Sequence, residues 1–328
     1  MTASGAKNAG NAKSETQAEH ASLPMGPRWK AGPAEPSADV YVGPLQVTAT
    51  DLRRFTECPL SVWYSQHEPF ETAAPTLGLA VGQIVHACRS ALSQAAWKRY
   101  VAARKPEDLW SASIEGEERN RIDLEFDRHA FLQAFGDDGR SARSNYSALL
   151  LGLERQRAVR GANLLGRGLK GTELAEALLP VEVEVPLFDS ESNLVGICDE
   201  IWWDGKGFFP VELKTSPPTR SHLEANRAQV AAYATMMKRA VGSNVSTCRV
   251  HYLTDNLIDS FRFDRSWSRR VDHIARQVRE VRSQVRPPKG RPSRDVCGYC
   301  PFQAICPQSA APGLLATLDA FLERRCAA

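Results

Sequence analysis

Val195-Gly-Ile-Cys-Asp199-Glu-Ile201 and Phe209-Pro-Val-Glu212-Leu-Lys214-Thr215 set an Asp, a Glu and a Lys close together in the chain. Both segments are strand-like. One apolar residue separates Glu212 from Lys214, so on a strand both side chains point to the same face. Asp189-Ser-Glu-Ser-Asn193 before the first segment and Asp204-Gly-Lys-Gly207 between the two read as hairpin turns. Antiparallel neighbours then bring Asp199 beside Glu212, which makes a patch of two carboxylates and one ammonium. Hard divalent cations take such oxygen ligands, and a nearby Lys can hold a water. A solvated surface salt bridge is the other reading, and these segments alone do not choose between the two.

Working outward, Leu223 to Arg239 has helical propensity and spacing. Gln229 and Tyr233 are four residues apart and share one face of that helix. Upstream, Gly78 to Leu92 reads as another helix with His86 on a largely apolar stretch. Taken singly, His86 is more often a packed core histidine than a ligand.

Together these residues resemble the PD-(D/E)XK nuclease superfamily, in its RecB-like and CRISPR-associated exonuclease branch. The motifs are G-x-x-x-H at Gly82–His86, G-x-x-D at Gly196–Asp199, E-x-K at Glu212–Lys214 and Q-x-x-x-Y at Gln229–Tyr233. Each is weak alone; their order, context and spacing make the set specific. The resemblance implies an α/β fold: a restriction-endonuclease-like core with a mixed central sheet flanked by helices, an added helical region and a C-terminal cysteine cluster. It implies that Asp199, Glu212, the Leu213 carbonyl and His86 bind Mg²⁺ or Mn²⁺. It assigns Lys214 to orienting the attacking water, and Gln229 and Tyr233 to positioning Lys214 or the scissile phosphate. The proline that often accompanies the catalytic Asp is absent here, as is common in RecB-like members. Glu182 and Glu184 read as a solvated strand face, with an outer-sphere carboxylate as the alternative.

Cys297, Cys300 and Cys306 form a tight C-x2-C-x5-C cluster, and Cys58-Pro lies far upstream. Such spacing favours a metal site over disulfides, because one centre can collect three thiolates. Spacing alone does not choose zinc or iron–sulfur. The resemblance implies a [4Fe-4S] cluster held by Cys58, Cys297, Cys300 and Cys306, as in AddB-type nucleases and the exonuclease V family. Cys88, Cys198 and Cys248 read as buried free thiols.

The 328 residues carry a net charge of +3, with ordinary charged and apolar fractions. No apolar run is long enough to span a bilayer, and the N-terminus lacks a signal-type apolar core. A cytoplasmic location without membrane contact is therefore expected, and a reducing compartment suits thiolate ligands. Residues 1–43 read as a disordered tail and 44–328 as one nuclease domain. That domain is expected to contain a helical insertion at about 106–177, interrupted near 135–139 and 161–171, and an iron–sulfur segment at 295–310. A closing helix is expected over Gly313 to Arg324. Arginines from Arg265 to Arg294, and a second group from Arg140 to Lys170, are candidates for a DNA path. The expected function is a metal-dependent DNA exonuclease, acting on single-stranded or free ends in repair, recombination or CRISPR spacer acquisition. A helicase or CRISPR integrase is a candidate partner. The alternative is a non-catalytic DNA-binding subunit of a larger nuclease–helicase or integration complex, and a zinc-stapled restriction-type endonuclease is a third reading.

Overall fold

The computed structural model describes residues 46–67, 77–303 and 305–310. The expected tail at 1–43 and the helix at 313–324 lie outside the described residues. The chain opens with a short strand β1 (Val47–Thr48), followed by helices α1 (Ala49–Glu57), α2 (Pro59–His67) and α3 (Leu77–Ala102). Helices α4 (Ala112–Arg128), α5 (Gly136–Gly166) and α6 (Gly171–Glu176) lead to strands β2 (Glu182–Asp189), β3 (Leu194–Trp203) and β4 (Phe208–Lys214). Helix α7 (Arg220–Ala240), strands β5 (Thr247–Tyr252) and β6 (Leu257–Arg262), and helices α8 (Arg265–Ser283) and α9 (Arg294–Gly298) follow.

The six strands form one mixed sheet in the order β1-β3-β4-β5-β6, with β2 also on β3. β2–β3 and β3–β4 are antiparallel hairpins, while β4–β5 is parallel and is bridged by α7. A parallel neighbour needs such a crossover. The two hairpins turn where expected. Asn193 and Gly205 take the positive φ of tight turns, and Asp204 Oδ1 accepts the N–H groups of Lys206 and Gly207 at 2.9 Å.

Helix α7 packs on one side of the sheet, against β2 to β5. On the other side, Ile84 and Leu92 of α3, Ile122 of α4 and Leu150 of α5 cluster with Phe209, Val211 and Leu213 of β4. This is a helix–sheet–helix sandwich, and it agrees with the α/β class expected. Thr48-Ala-Thr-Asp51 reads in sequence as a capping box opening a helix that carries Cys58, and the box forms: the Thr48 N–H donates to Asp51 Oδ2 at 2.8 Å, and the Asp51 N–H to Thr48 Oγ1 at 3.0 Å.

Three details differ from expectation. Cys58 caps the C-terminal end of α1 in an extended conformation instead of riding within the helix. Pro59 follows it, and the residue before a proline is pushed out of the α region. Gly161 does not interrupt α5, which continues to Gly166; a Cβ there would lie 2.9 Å from the Tyr100 ring and 3.0 Å from Leu109, so its role is close helix contact. Many of the basic residues are paired within the molecule. Arg282 holds Asp51 at 2.8 Å, Arg270 holds Glu224 at 2.8 Å, and Arg143 holds Asp123 and Asp127.

Candidate active site

The last paired residues of β3 and β4 at this end are Glu200 and Val211. Asp199 and Glu212 come next, facing each other where the ladder ends. The Leu213 N–H turns to Asp199 Oδ2 at 2.7 Å. Leu213 buries its own side chain with Val211 in the α3-side cluster, which leaves Glu212 and Lys214 on the opposite face. Lys214 Nζ donates to Glu212 Oε1 at 2.6 Å and to Gln229 Oε1 at 3.0 Å. The Gln229 amide Nε2–H in turn donates to the Tyr233 hydroxyl at 3.1 Å. The one-turn spacing on α7 thus becomes a chain from Tyr233 through Gln229 to Lys214. The structure therefore brings together the five side chains expected on β3, β4 and α7.

His86 on α3 completes the site. Its Nδ1 lies 3.2 Å from Asp199 Oδ1 and 3.9 Å from Glu184 Oε1. One ligand atom each from His86, Glu184 and Asp199 lie within 4.8 Å of one another. His86 is thus not simply packed in the core. Glu184, read from sequence as a solvated strand face, is the functional candidate that reading set aside. The hairpin count held the missing signal: pairing Asp189 with Leu194 places Glu184 opposite Asp199.

Electrostatics separate the groups. Burial, then the Asp199 charge, pushes the Glu212 carboxyl up to about 7. Burial and Asp199 likewise raise Glu184 to about 7. Burial alone would lower His86, but the Asp199 charge and hydrogen bond, helped by Glu212 and Glu184, outweigh it and carry the imidazole to about 9. Asp199 stays below the ordinary carboxylate value: burial opposes ionisation, and His86 and the Leu213 N–H overcome it. Burial holds the Tyr233 phenol well above its usual range, so it donates or accepts hydrogen bonds and does not serve as a base. Glu212 Oε2 is buried without a partner among the described residues. An unsatisfied buried carboxylate oxygen is costly. Beside Asp199 and His86, it fits a divalent cation.

Cys58, Cys297, Cys300 and Cys306 line one pocket between α2 and the C-terminal loop, walled by Leu60, Tyr64 and Phe302. The Arg291 N–H points at Cys58 Sγ at 3.3 Å, and the Ala310 N–H at Cys297 Sγ at 3.4 Å. Burial pushes the Cys300 thiol up to about 11. Four thiols lining one pocket, two of them with N–H donors at the sulfur, are a donor set suited to a sulfur-ligated metal centre. Cys88, Cys198 and Cys248 are buried and free, as expected.

A mixed sheet between helices, with an Asp–Glu–Lys cluster at the β3–β4 fork and a histidine from α3, defines a class of nucleases. Residues 46–307 match the family model of the PD-(D/E)XK nuclease superfamily, and the chain belongs to that superfamily. Among curated proteins it is similar to the CRISPR-associated exonuclease Cas4 of Thermoproteus tenax, with 25% identity over 132 residues, covering 40% of this chain and 69% of that protein. No helix among the described residues is long and apolar enough to cross a membrane.

Proposed function

We propose that this protein is a metal-dependent deoxyribonuclease that hydrolyses phosphodiester bonds at free DNA ends, an exonuclease preferring single strands. The observation that carries the reading is Lys214, clamped between Glu212 and Gln229 beside the Asp199–His86 pair. The name of the Thermoproteus relative, a CRISPR-associated exonuclease, supports exonuclease chemistry and a CRISPR-associated role.

Asp199, Glu212, His86 and the Leu213 carbonyl would hold Mg²⁺ or Mn²⁺. When bound, such an ion supplies Lewis-acid activation and neutralises charge on the phosphate. An ammonium has three N–H donors. Glu212 and Gln229 take two from Lys214, leaving the third to orient the attacking water or a phosphate oxygen. Tyr233 fixes the Gln229 amide so that its oxygen, not its nitrogen, faces Lys214. For the thiol pocket we assign a [4Fe-4S] cluster with a structural role, zinc being the alternative.

Fluorescent linear and circular single-stranded oligonucleotides with Mg²⁺ or Mn²⁺ test the activity. Lys214→Ala and Asp199→Asn should lower cleavage of the linear strand by about 10²-fold or more, the scale of losing one positioned electrostatic group. The circle should resist. Equal cleavage by the variants, or none by the wild type, sinks the catalytic reading and leaves the DNA-binding subunit. Cleavage of the circle sinks the exonuclease assignment.

A further inference from the structure

Glu184 does not sit as an ordinary strand residue. Its φ is 51°, in the left-handed region. Such a conformation is strained for a non-glycine residue and persists only where its surroundings impose it. The β2–β3 ladder pairs every residue of β2 except Glu184, the one opposite Asp199. The register sets its carboxylate beside Asp199. Its oxygen reaches within 4.8 Å of ligand atoms on both His86 and Asp199. Among the described residues no hydrogen bond holds that carboxylate, although His86 stands 3.9 Å away. A second observation points to a ligand in the same place. Glu212, itself 3% exposed, keeps Oε2 buried without a partner among the described residues.

We propose that Glu184 is a direct ligand of the hard divalent cation, alongside His86 and Asp199, and that cation binding is what its distorted backbone serves. The proposal rests on the metal-site reading above and adds a ligand to it. The chemistry is consistent: a third oxygen-rich donor suits Mg²⁺ or Mn²⁺, which prefer carboxylates to softer groups. The neighbouring Glu182 belongs to no such cluster among the described residues and supplies the control.

The test is Mn²⁺ uptake by full-length protein, followed by electron paramagnetic resonance in the absence of DNA. Glu184→Gln should weaken binding by about tenfold or more, while Glu182→Gln should stay within about twofold. Glu184→Gly removes the carboxylate and relieves the backbone, since glycine accepts positive φ without strain. Its metal-free melting temperature should equal or exceed that of the wild type while Mn²⁺ affinity falls. Unchanged affinity in Glu184→Gln, or equal weakening by the Glu182 control, overturns the ligand role. If the wild type binds Mn²⁺ and cleaves DNA but Glu184→Gln binds equally well, this inference alone fails. If the wild type takes up no Mn²⁺, the metal-site reading fails with it.

Discussion

At the scale of single residues, the two motif glycines do different work. A Cβ on Gly196 would sit 2.7 Å from the Tyr233 ring and 3.1 Å from the Ala49 Cβ. That ring is buried and hydrogen-bonded, so it cannot give way cheaply. Gly196→Ala should cost about 1–3 kcal/mol by overpacking. Gly82 lies within α3, and its nearest contact for a Cβ is Thr215 Oγ1 at 3.7 Å. Gly82→Ala should be neutral or should stabilise by about 0.5–1 kcal/mol, the helix-interior difference between the two residues. Urea denaturation of both variants checks the contrast, and equal losses would refute it. Protonation sets a further expectation. Glu212 and Glu184 are raised from 4.5 to about 7, and His86 from 6.5 to about 9. In each case the folded chain keeps a proton that the unfolded chain has released. Their contribution to metal-free stability therefore falls as pH rises, between about 4.5 and 7 for the carboxyls and between about 6.5 and 9 for the imidazole. A cation must displace the same protons, so Mg²⁺ or Mn²⁺ affinity should climb across that range. Melting curves against pH, with and without Mn²⁺, should diverge as pH increases; parallel curves would contradict the assignment. Asp199, Glu212 and Lys214 were legible in the sequence because side-chain alternation is a local property. Glu184 was legible only in part: the hairpin count places it opposite Asp199, but its positive φ is a backbone angle that local sequence pattern does not announce.

Among elements, the contact that sets α3 against the sheet is a buried ion network. Arg89, one turn beyond His86, donates to Glu200 Oε1 at 2.9 Å and to Glu154 Oε1 at 3.2 Å. Glu200 directly follows Asp199, so this pair ties the helix of one proposed ligand to the strand of another. Arg89→Leu should cost about 3–5 kcal/mol, because Glu200 keeps only its Trp202 donor for a buried charge. The double variant Arg89→Leu/Glu200→Leu should recover much of that loss, since Glu154 retains Arg157 at 2.9 Å. Denaturant midpoints of the full cycle decide it; additive losses would mean that the pair is not coupled. The order of β3, β4 and α7 followed from alternation, turn residues and helical spacing. β1 did not: two residues carry no period, and their strand character comes from pairing with Leu194 and Val195. Gly161 misled for a related reason, because a glycine that breaks a helix and one that lets Tyr100 approach look identical in sequence.

For the whole molecule, the thiol pocket joins α2 to the loop after α9, and Arg282 separately fastens α8 to α1 through Asp51 and the Gln46 carbonyl. A metal centre at this seam turns binding energy into folding energy. Cys306→Ser should lose bound iron and melt well below the wild type even where Asp199 and Lys214 are intact. Retention of both the iron content and the melting temperature would refute the structural role. The same seam has a consequence for biosynthesis. A ribosome adds about 5–20 residues per second, and early segments ordinarily condense as they emerge. Helix α1 can dock on α7, but the long-range partners of α2 come more than 200 positions later: the Trp63 indole N–H donates to the Gln284 carbonyl, and the Tyr64 ring stacks on Phe302. Helix α2 must wait, with this apolar flank uncovered, until residues 284–302 have been translated. Nascent chains arrested before that point should expose Trp63 and Tyr64 to chaperones, and chains arrested after it should not.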